Sequence, residues 1–433
     1  MQHSPAPLSP VQAPRPSLSE VFRQFRQDSS ASALLSGLIA VLVGFAGPIV
    51  LIYAVAQSAK LSNQTVLSWV WAATVLCGVV SVWLSLRFRV PLMSTWSTPG
   101  IAFLATALPG IPFPEAVGAF LISGLLVLLL GTIGPLTRLI GRIPTHLAGA
   151  LNAAILLPFG FHAVQAFGSM PLLVGAMILG YFVLRRYAPR WAVAGVLLIG
   201  VAGSAALGLL HPGPISFALT QPQVVVPQFS WRAVLNLALP LTLLAFTGQF
   251  VPGFAALKVS GFTPPAAPII RACGVASVAA AFVGCHTLTL AALLANIVSG
   301  PEAHPDSRRR YLAAVYAGVF NIVLGLFAGT FLHIIAVLPQ QAIQALAGLA
   351  LLTAIGSSLQ AALATAPGSL AAPTVLLVTL SGVSLLGIGS AFWGILAGLA
   401  VYAAESRATR SAATRQVKVS VSTEPPTPVQ ASD

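Results

Sequence analysis

Carboxylates are nearly absent from this sequence. Asp and Glu number 8 in 433 residues against 21 Lys and Arg, and charged residues of all kinds make up 7%. The eight acids are Glu20, Asp28, Glu115, Glu302, Asp306, Glu405, Glu424 and Asp433, so none lies between Glu115 and Glu302 or between Asp306 and Glu405. Chemistry built on paired carboxylates or on an acid-rich metal site has no residues to use there. A soluble domain carries about 25% charge. With 57% hydrophobic residues and a mean hydropathy of +0.92, this chain cannot cover its apolar mass with a wet surface. Cysteine is scarce too. Cys77, Cys273 and Cys285 all sit in apolar stretches and read as unpaired small hydrophobes. The first 30 residues are polar and Pro-rich, without the apolar region of a cleaved signal.

What is present is a succession of long apolar runs. A spanning helix needs about 20 apolar residues. The sequence predicts spans near 32–56, 65–86, 91–108, 115–136, 146–164, 170–185, 191–210, 231–256, 267–283, 286–299, 311–333, 341–361, 370–385 and 387–404. The class is therefore an all-α polytopic membrane protein with about 14 transmembrane segments. The final pair is open to a second reading, one long kinked span plus a re-entrant piece. With the N-terminus inside, 19 of the 21 basic residues fall in cytoplasmic segments, and only Lys60 and Arg232 fall outside. The net charge of +13 is thus a topology signal and not a nucleic-acid footprint. Both termini are expected in the cytoplasm, as disordered segments over 1–30 and 405–433.

The chain echoes itself. LVGFAGPIV (42–50) returns as LLAFTGQFV (243–251), which puts Phe45 on Phe246 and Gly47 on Gly248. LAGALNAAI (147–155) returns as LAGLALLTA (346–354). Seven spans repeated once must insert upside down the second time, which is the inverted repeat of secondary transporters. Chance similarity among Ala/Gly/Leu-rich helices is the alternative. The third span of each repeat looks broken. Pro91–Gly110 opens with a Ser/Thr-rich extended stretch, and then Ser97-Thr98-Pro99 supplies a hydroxyl N-cap and a first-turn Pro. The helix that follows covers only half a bilayer. Its counterpart is Gly284–Gly300, where His286, Thr287 and Thr289 are expected to precede or open a half-helix of similar length. Two such N-termini meeting near the midplane would favour an anion. The bland alternative is that Pro99 only kinks an ordinary span.

Three stretches then carry a resemblance. STWSTPGIAFLATALPG (94–110), TGQFVPGFAALK (247–258) and CHTLTLAALLANIVSGPEAHPDSRRRY (285–311) resemble the benzoate:proton symporters of bacterial inner membranes, over roughly residues 30–405. The resemblance implies uptake of benzoate or a similar aromatic carboxylate with protons, across the inner membrane. It also implies the fold of the uracil, sulfate and bicarbonate carriers. In that fold, core-domain segments (31–136 and 231–333) alternate with gate-domain segments (137–212 and 334–404). An extracytoplasmic loop spans 213–230. Related folds commonly pair through the gate domain, so a homodimer is one option and the oligomeric state stays open. One departure bears on substrate. The uracil-type carriers place carboxylates on the eighth and tenth spans, where this chain has Gln249, His286 and Thr289. A nucleobase wants such an acceptor and a carboxylate is repelled by one, so the missing acids favour an anionic substrate.

The candidate substrate-binding residues are Phe45, Trp96, Ser97, Thr98, Gly100, Phe246, Gln249, His286, Thr287 and Thr289. His286, the ionisable side chain expected at the site, is the candidate for proton coupling; the alternative is a neutral histidine bonding a backbone carbonyl, with the proton entering on the protonated substrate itself. Gln249 is read as an amide donor to the substrate or as interhelical glue. The hydroxyls could donate to an anion or simply cap helices. Phe45, Trp96 and Phe246 could stack on an aromatic ring or pack the core. His162 and His333 read as interfacial. His304, with Glu302 and Asp306, reads as a loop-organising cluster and not a metal site. No cofactor, metal or nucleic acid is expected. A membrane enzyme would need a catalytic cluster at membrane depth, and none is visible. A carrier of the same fold for a nucleobase or inorganic anion, and a passive anion channel, stay as alternatives.

Overall fold

The computed structural model describes residues 28–46, 48–134, 144–210, 219–330, 332, 337–364 and 369–422. The expected disordered N-terminus up to residue 27, Gly47, His333 and residues 423–433 lie outside the described residues. The first half of the chain runs α1 (Ala31–Ala46), α2 (Pro48–Ser58), α3 (Asn63–Phe88), β1 (Ser94–Trp96), α4 (Thr98–Ala107), α5 (Phe113–Thr132), α6 (Thr145–Ser169), α7 (Pro171–Tyr187) and α8 (Ala192–Ala206). The second runs α9 (Trp231–Val259), α10 (Ala266–Ala281), β2 (Leu288–Leu290), α11 (Leu293–Ser299), α12 (Tyr311–Leu326), α13 (Gln340–Leu363), α14 (Ala371–Leu380) and α15 (Ser390–Ser422).

Among the described residues, six helices are long and apolar enough to cross a membrane: Ala31–Ser58, taken across α1 and α2, together with α3, α5, α6, α9 and α13. Four more apolar helices are shorter, namely α4, α8, α10 and α14. At 10 residues, α4 is about 15 Å long. That is half the hydrocarbon thickness.

Small residues set the packing. α3 lies along α12, and α5 along α10. A Cβ on Gly78 would sit 2.5 Å from the Gly318 carbonyl oxygen, and one on Gly318 would sit 2.7 Å from that of Gly78. In lipid there is little hydrophobic drive between helices, so such close approach supplies the attraction. The other principal contacts join α6 to α13, α14 to α15 and α7 to α8. The extended stretch 219–230 ties helix ends together. Thr220 N donates to Leu326 O at 2.8 Å, Val225 N to Phe282 O at 2.8 Å and Gln228 N to Pro114 O at 2.9 Å.

Two expectations need correction. The second half-helix, α11, is only seven residues and starts at Leu293. His286, Thr287 and Thr289 therefore lie before and within β2, not at the helix start, because the extended stretch runs further than the hydroxyl pattern suggested. The expected unstructured tail from 405 is helical as far as Ser422, as the end of α15. Its Ala, Arg and Gln residues are good helix formers. Low hydropathy said nothing about that propensity.

Candidate functional site

Two broken spans cross at a short antiparallel ladder. Ser94 faces Leu290, Thr95 faces Thr289 and Trp96 faces Leu288. The ladder continues one bond at each end, with Ser97 N on Thr287 O at 3.1 Å and Ala291 N on Met93 O at 2.8 Å. Extended backbone at membrane depth must find partners within protein. Serines on the flanking helices provide the rest. On α3, Ser81 Oγ accepts Ser94 N at 2.8 Å and Ser85 Oγ accepts Leu92 N at 3.1 Å. On α10, Ser277 Oγ accepts Leu288 N at 2.8 Å. These serines were not singled out from sequence. The available signal was polar residues in apolar helices, with Ser81 and Ser85 four apart and hence on one face.

α4 leaves the ladder directly. Ser97, its N-cap, accepts Gly100 N at 3.2 Å, and Pro99 fills the first turn. Two donors of its start are thus already used: Gly100 N by Ser97 Oγ and Ile101 N by Ser97 O. Pro99 has no N–H. Thr98 is half-buried. A Cβ at Gly100 would come within 3.1 Å of His286 Cδ2 and of Leu241 Cδ2, so glycine lets these groups close together.

α11 has no cap of its own, since Ala292 carries no acceptor. Gln249 provides one across the junction: its Oε1 accepts Ala292 N at 3.3 Å. Gln249 is buried, and the donor on Ala292 fixes which end of its amide points there. The residue sits in a π-helical turn of α9, Phe246–Phe250, a deviation that frequently marks functional sites. A second π turn covers Val234–Ala238, where Asn236 Nδ2 donates to Gly387 O at 2.7 Å and Asn236 Oδ1 accepts Gly389 N.

His286 is fully buried and both ring nitrogens are engaged. Trp69 Nε1 donates to Nδ1 at 3.3 Å, and Nε2 bonds the Ser97 carbonyl oxygen at 3.0 Å. This is the neutral tautomer with hydrogen on Nε2. The ring lies edge-on to Trp69 and Phe120, at centroid distances of 5.6 and 6.5 Å. The arrangement is that of a neutral histidine bonding a backbone carbonyl, the second of its two expected readings. The side chain has no free nitrogen, and it pins the chain before β2 to the start of α4.

The remaining candidates divide. Thr287 Oγ1 bonds Ser123 Oγ at 2.8 Å, which bonds Thr242 Oγ1 at 3.0 Å, forming a buried hydroxyl chain across three spans. Thr289 Oγ1 donates to Thr95 O at 3.1 Å. Both hydroxyls are spent inside the protein. Phe246 is buried and packs on Phe250 at 5.0 Å. Phe45 meets Trp96 edge-on at 6.4 Å, and the buried Trp96 Nε1 has no partner. A small cavity of about 10 Å³, room for one water, lies beside them against Val41, Cys77, Thr95, Trp96 and Asn321. Away from the crossing, His162 is exposed, while His304 Nδ1 accepts Asp306 N at 3.0 Å and organises its loop. Asp28, Arg89, Arg309 and Tyr311 form an ionic cluster, with Asp28 3.4 Å from both Arg89 and Arg309. Among the described residues, no three His, Cys, Asp or Glu side chains group as metal ligands.

A family model described as benzoate membrane transport protein matches residues 27–404. The chain belongs to this family. It is 39% identical over 385 residues to the benzoate membrane transport protein of Acinetobacter baylyi, covering 89% of this chain and 98% of that one. It is also 39% identical over 369 residues to inner membrane protein YdcO of Escherichia coli (strain K12), covering 85% and 94%. In structure it is similar to the transmembrane domain of the cyanobacterial bicarbonate transporter BicA, with TM-score 0.55 and 15% identity over 86% of this chain and 94% of that one. As a member of a benzoate membrane transport family, the chain is a membrane transport protein and not an enzyme. Its fold is the helical membrane-transporter fold of that bicarbonate carrier domain.

Proposed function

We propose that this transporter imports benzoate or a similar aromatic carboxylate with protons across the bacterial inner membrane, by alternating access. The observation that carries the reading is the crossing of β1 and β2: a buried junction of hydroxyls and amides without any carboxylate, in a chain of the benzoate transport family. A negatively charged side chain there would repel the benzoate anion as it arrives from solution. Thr98, Gln249 and Trp96 are the contacts this reading retains. The amide nitrogen of Gln249 stays available once its oxygen is committed to Ala292. Phe45 and Trp96, paired edge-on, supply the rings this reading gives to an aromatic substrate.

The architecture behind this is fourteen crossings in an inverted seven-plus-seven repeat. Internal pairing supports it, since α3 on α12 and α5 on α10 exchange under such a repeat. So do the serines: Ser81 on α3 and Ser277 on α10 hold equivalent strand residues, Ser94 and Leu288. The core domain is then 31–136 with 231–333, and the gate domain 137–212 with 334–404. Both termini are cytoplasmic, by the placement of Arg87, Arg185, Arg186, Lys258 and the Arg308–Arg310 run. Pairing of two copies through the gate domain completes the proposal. Asn236, bonded to the Gly387–Gly389 turn, is a core-to-gate contact that alternation would have to break.

The test is uptake of labelled benzoate into proteoliposomes, with and without an inward proton gradient. Accumulation above equilibrium with the gradient is the expected result. Equilibration alone would mean a channel or uniporter. The likeness to a bicarbonate carrier domain favours a second reading, an inorganic anion as cargo. Bicarbonate uptake that benzoate does not inhibit would decide for it.

A further inference from the structure

Asn152, on α6, is a polar side chain that nothing in the protein satisfies. It is 7% exposed, and its buried Oδ1 has no hydrogen-bond partner. Among the described residues its amide nitrogen makes no hydrogen bond either. At membrane depth such a group is costly and rare, and marks a place where something binds. Its position says what. A Cβ at Gly248 would meet Pro99 Cγ at 2.8 Å and Asn152 Nδ2 at 3.6 Å. Asn152 therefore reaches Gly248, the residue beside Gln249, and its helix α6 packs against α4.

The chemistry of a carboxylate cargo there is constrained by what else is present. The elements packed around this stretch bear no titratable side chain at its depth. α4, α13, α14 and the Phe246–Phe250 turn contain none at all. On α6 itself His146 and His162 lie six and ten residues away, which is about 9 and 15 Å along the helix. α7 carries Tyr181, Arg185, Arg186 and Tyr187, all in its last two turns, and α15 carries Tyr402, Glu405, Arg407, Arg410, Arg415 and Lys418, all beyond its third turn. At the crossing, both His286 nitrogens are occupied and the neighbouring Cys285 thiol donates to the His286 carbonyl. The first-turn donors of α4 at Gly100 and Ile101 are occupied as well. A bare carboxylate would find neutral donors, such as the amide nitrogens of Asn152 and Gln249, but no countercharge. A protonated carboxylic acid matches a side-chain amide on both edges: its O–H donates to Oδ1 and its C=O accepts from Nδ2.

Resting on the benzoate reading above, we propose that Asn152 contacts the substrate and holds it as the neutral acid, so that the coupled proton travels on the substrate's own carboxyl group. The aromatic acid takes its proton from water on the outside and returns it on the inside. No side chain has to titrate. An acid with a pKa of about 4 is protonated in roughly one molecule in a thousand at pH 7. Binding of the neutral form from the anion pool therefore draws one proton from solution for each molecule bound.

The test is calorimetric titration of benzoate into the purified full-length protein at pH 7, in buffers of different ionisation enthalpy. One proton taken up per benzoate is expected in the wild type, and the same count in His286→Gln. Asn152→Leu is expected to weaken binding at least tenfold. Should that variant not fold, competition on the wild type reads the same point. Benzamide, which is neutral and has both donor and acceptor, should displace benzoate, and benzenesulfonate, a permanent anion, should not. Benzoate binding without proton uptake would overturn the inference alone. So would a proton count that vanishes in His286→Gln, displacement by benzenesulfonate but not benzamide, or wild-type affinity in Asn152→Leu. No benzoate binding by folded wild-type protein would overturn the substrate reading and this inference with it.

Discussion

The side-chain carbonyl of Gln249 accepts the backbone N–H of Ala292 at 3.3 Å, so a residue of one span caps the half-helix of another. Ala292 cannot cap itself, and an unpaired N–H in lipid is costly. Gln249→Ala should lower stability by about 1 kcal/mol, the usual worth of a cap. Gln249→Glu keeps an acceptor for Ala292 but loses the amide donor and places a negative charge in a buried site. We expect its benzoate uptake to fall more than tenfold while its thermal unfolding stays cooperative. Initial uptake rates alongside melting curves check both.

Gly248 is a packing position with a defined neighbour. A methyl group there would stand 2.8 Å from Pro99 Cγ, and a proline ring in a helix first turn cannot swing aside. Gly248→Ala should cost about 1–3 kcal/mol by overpacking. It should also push the start of α4 away from α9 and depress uptake. Uptake at wild-type levels in Gly248→Ala would show that the two spans are free to separate there.

His286 acts as a pin. Removing it strands the buried indole N–H of Trp69, while the Ser97 carbonyl keeps the Ile101 N–H and loses its second donor. A stranded buried group costs about 1–3 kcal/mol. His286→Ala should therefore melt well below wild type, and Trp69→Phe, which frees only Nδ1, should melt less far below it. A His286→Ala protein as stable as wild type would contradict the pin.

Glu405 should confer a pH dependence on the contact between α14 and α15. Its carboxylate accepts Leu370 N at 2.7 Å and Ser369 Oγ at 2.7 Å, and the backbone bond, more than the hydroxyl, holds its pKa below the ordinary carboxyl value. A depressed folded-state pKa gives stability that is present above the unfolded pKa and is lost as pH falls through the folded one. Wild type should thus outlast Glu405→Ala at pH 7, with the gap closing as the medium is acidified below about 4. Melting temperatures of the two proteins across that range measure it.

Much of the architecture was legible along the chain. A bilayer imposes a length and an apolar composition, and both are properties of sequence, so the apolar runs fell close to the helices now seen. α3 covers Asn63–Phe88 where 65–86 was expected, and α13 covers Gln340–Leu363 where 341–361 was expected. The break before α4 was readable because Ser97 and Pro99 act locally. The end of the second extended stretch was not. β2 is held by Thr95, Met93 and Ser277, residues far off in the chain, and hydroxyls at 287 and 289 looked like a cap when they were ladder and network groups.

The sequence by itself determined that this protein lives in a membrane, that it breaks its third span, and that its interior carries no acid. Composition and local capping suffice for those, because each depends on one segment and its solvent. Only the tertiary structure decided what the polar residues do. It occupied both nitrogens of His286, turned Gln249 into the cap of a distant helix, and left Asn152 unsatisfied. Hydrogen-bond saturation depends on which segments meet in space, and residues as far apart in sequence as Ser94 and Leu290 meet here at one crossing of two three-residue strands.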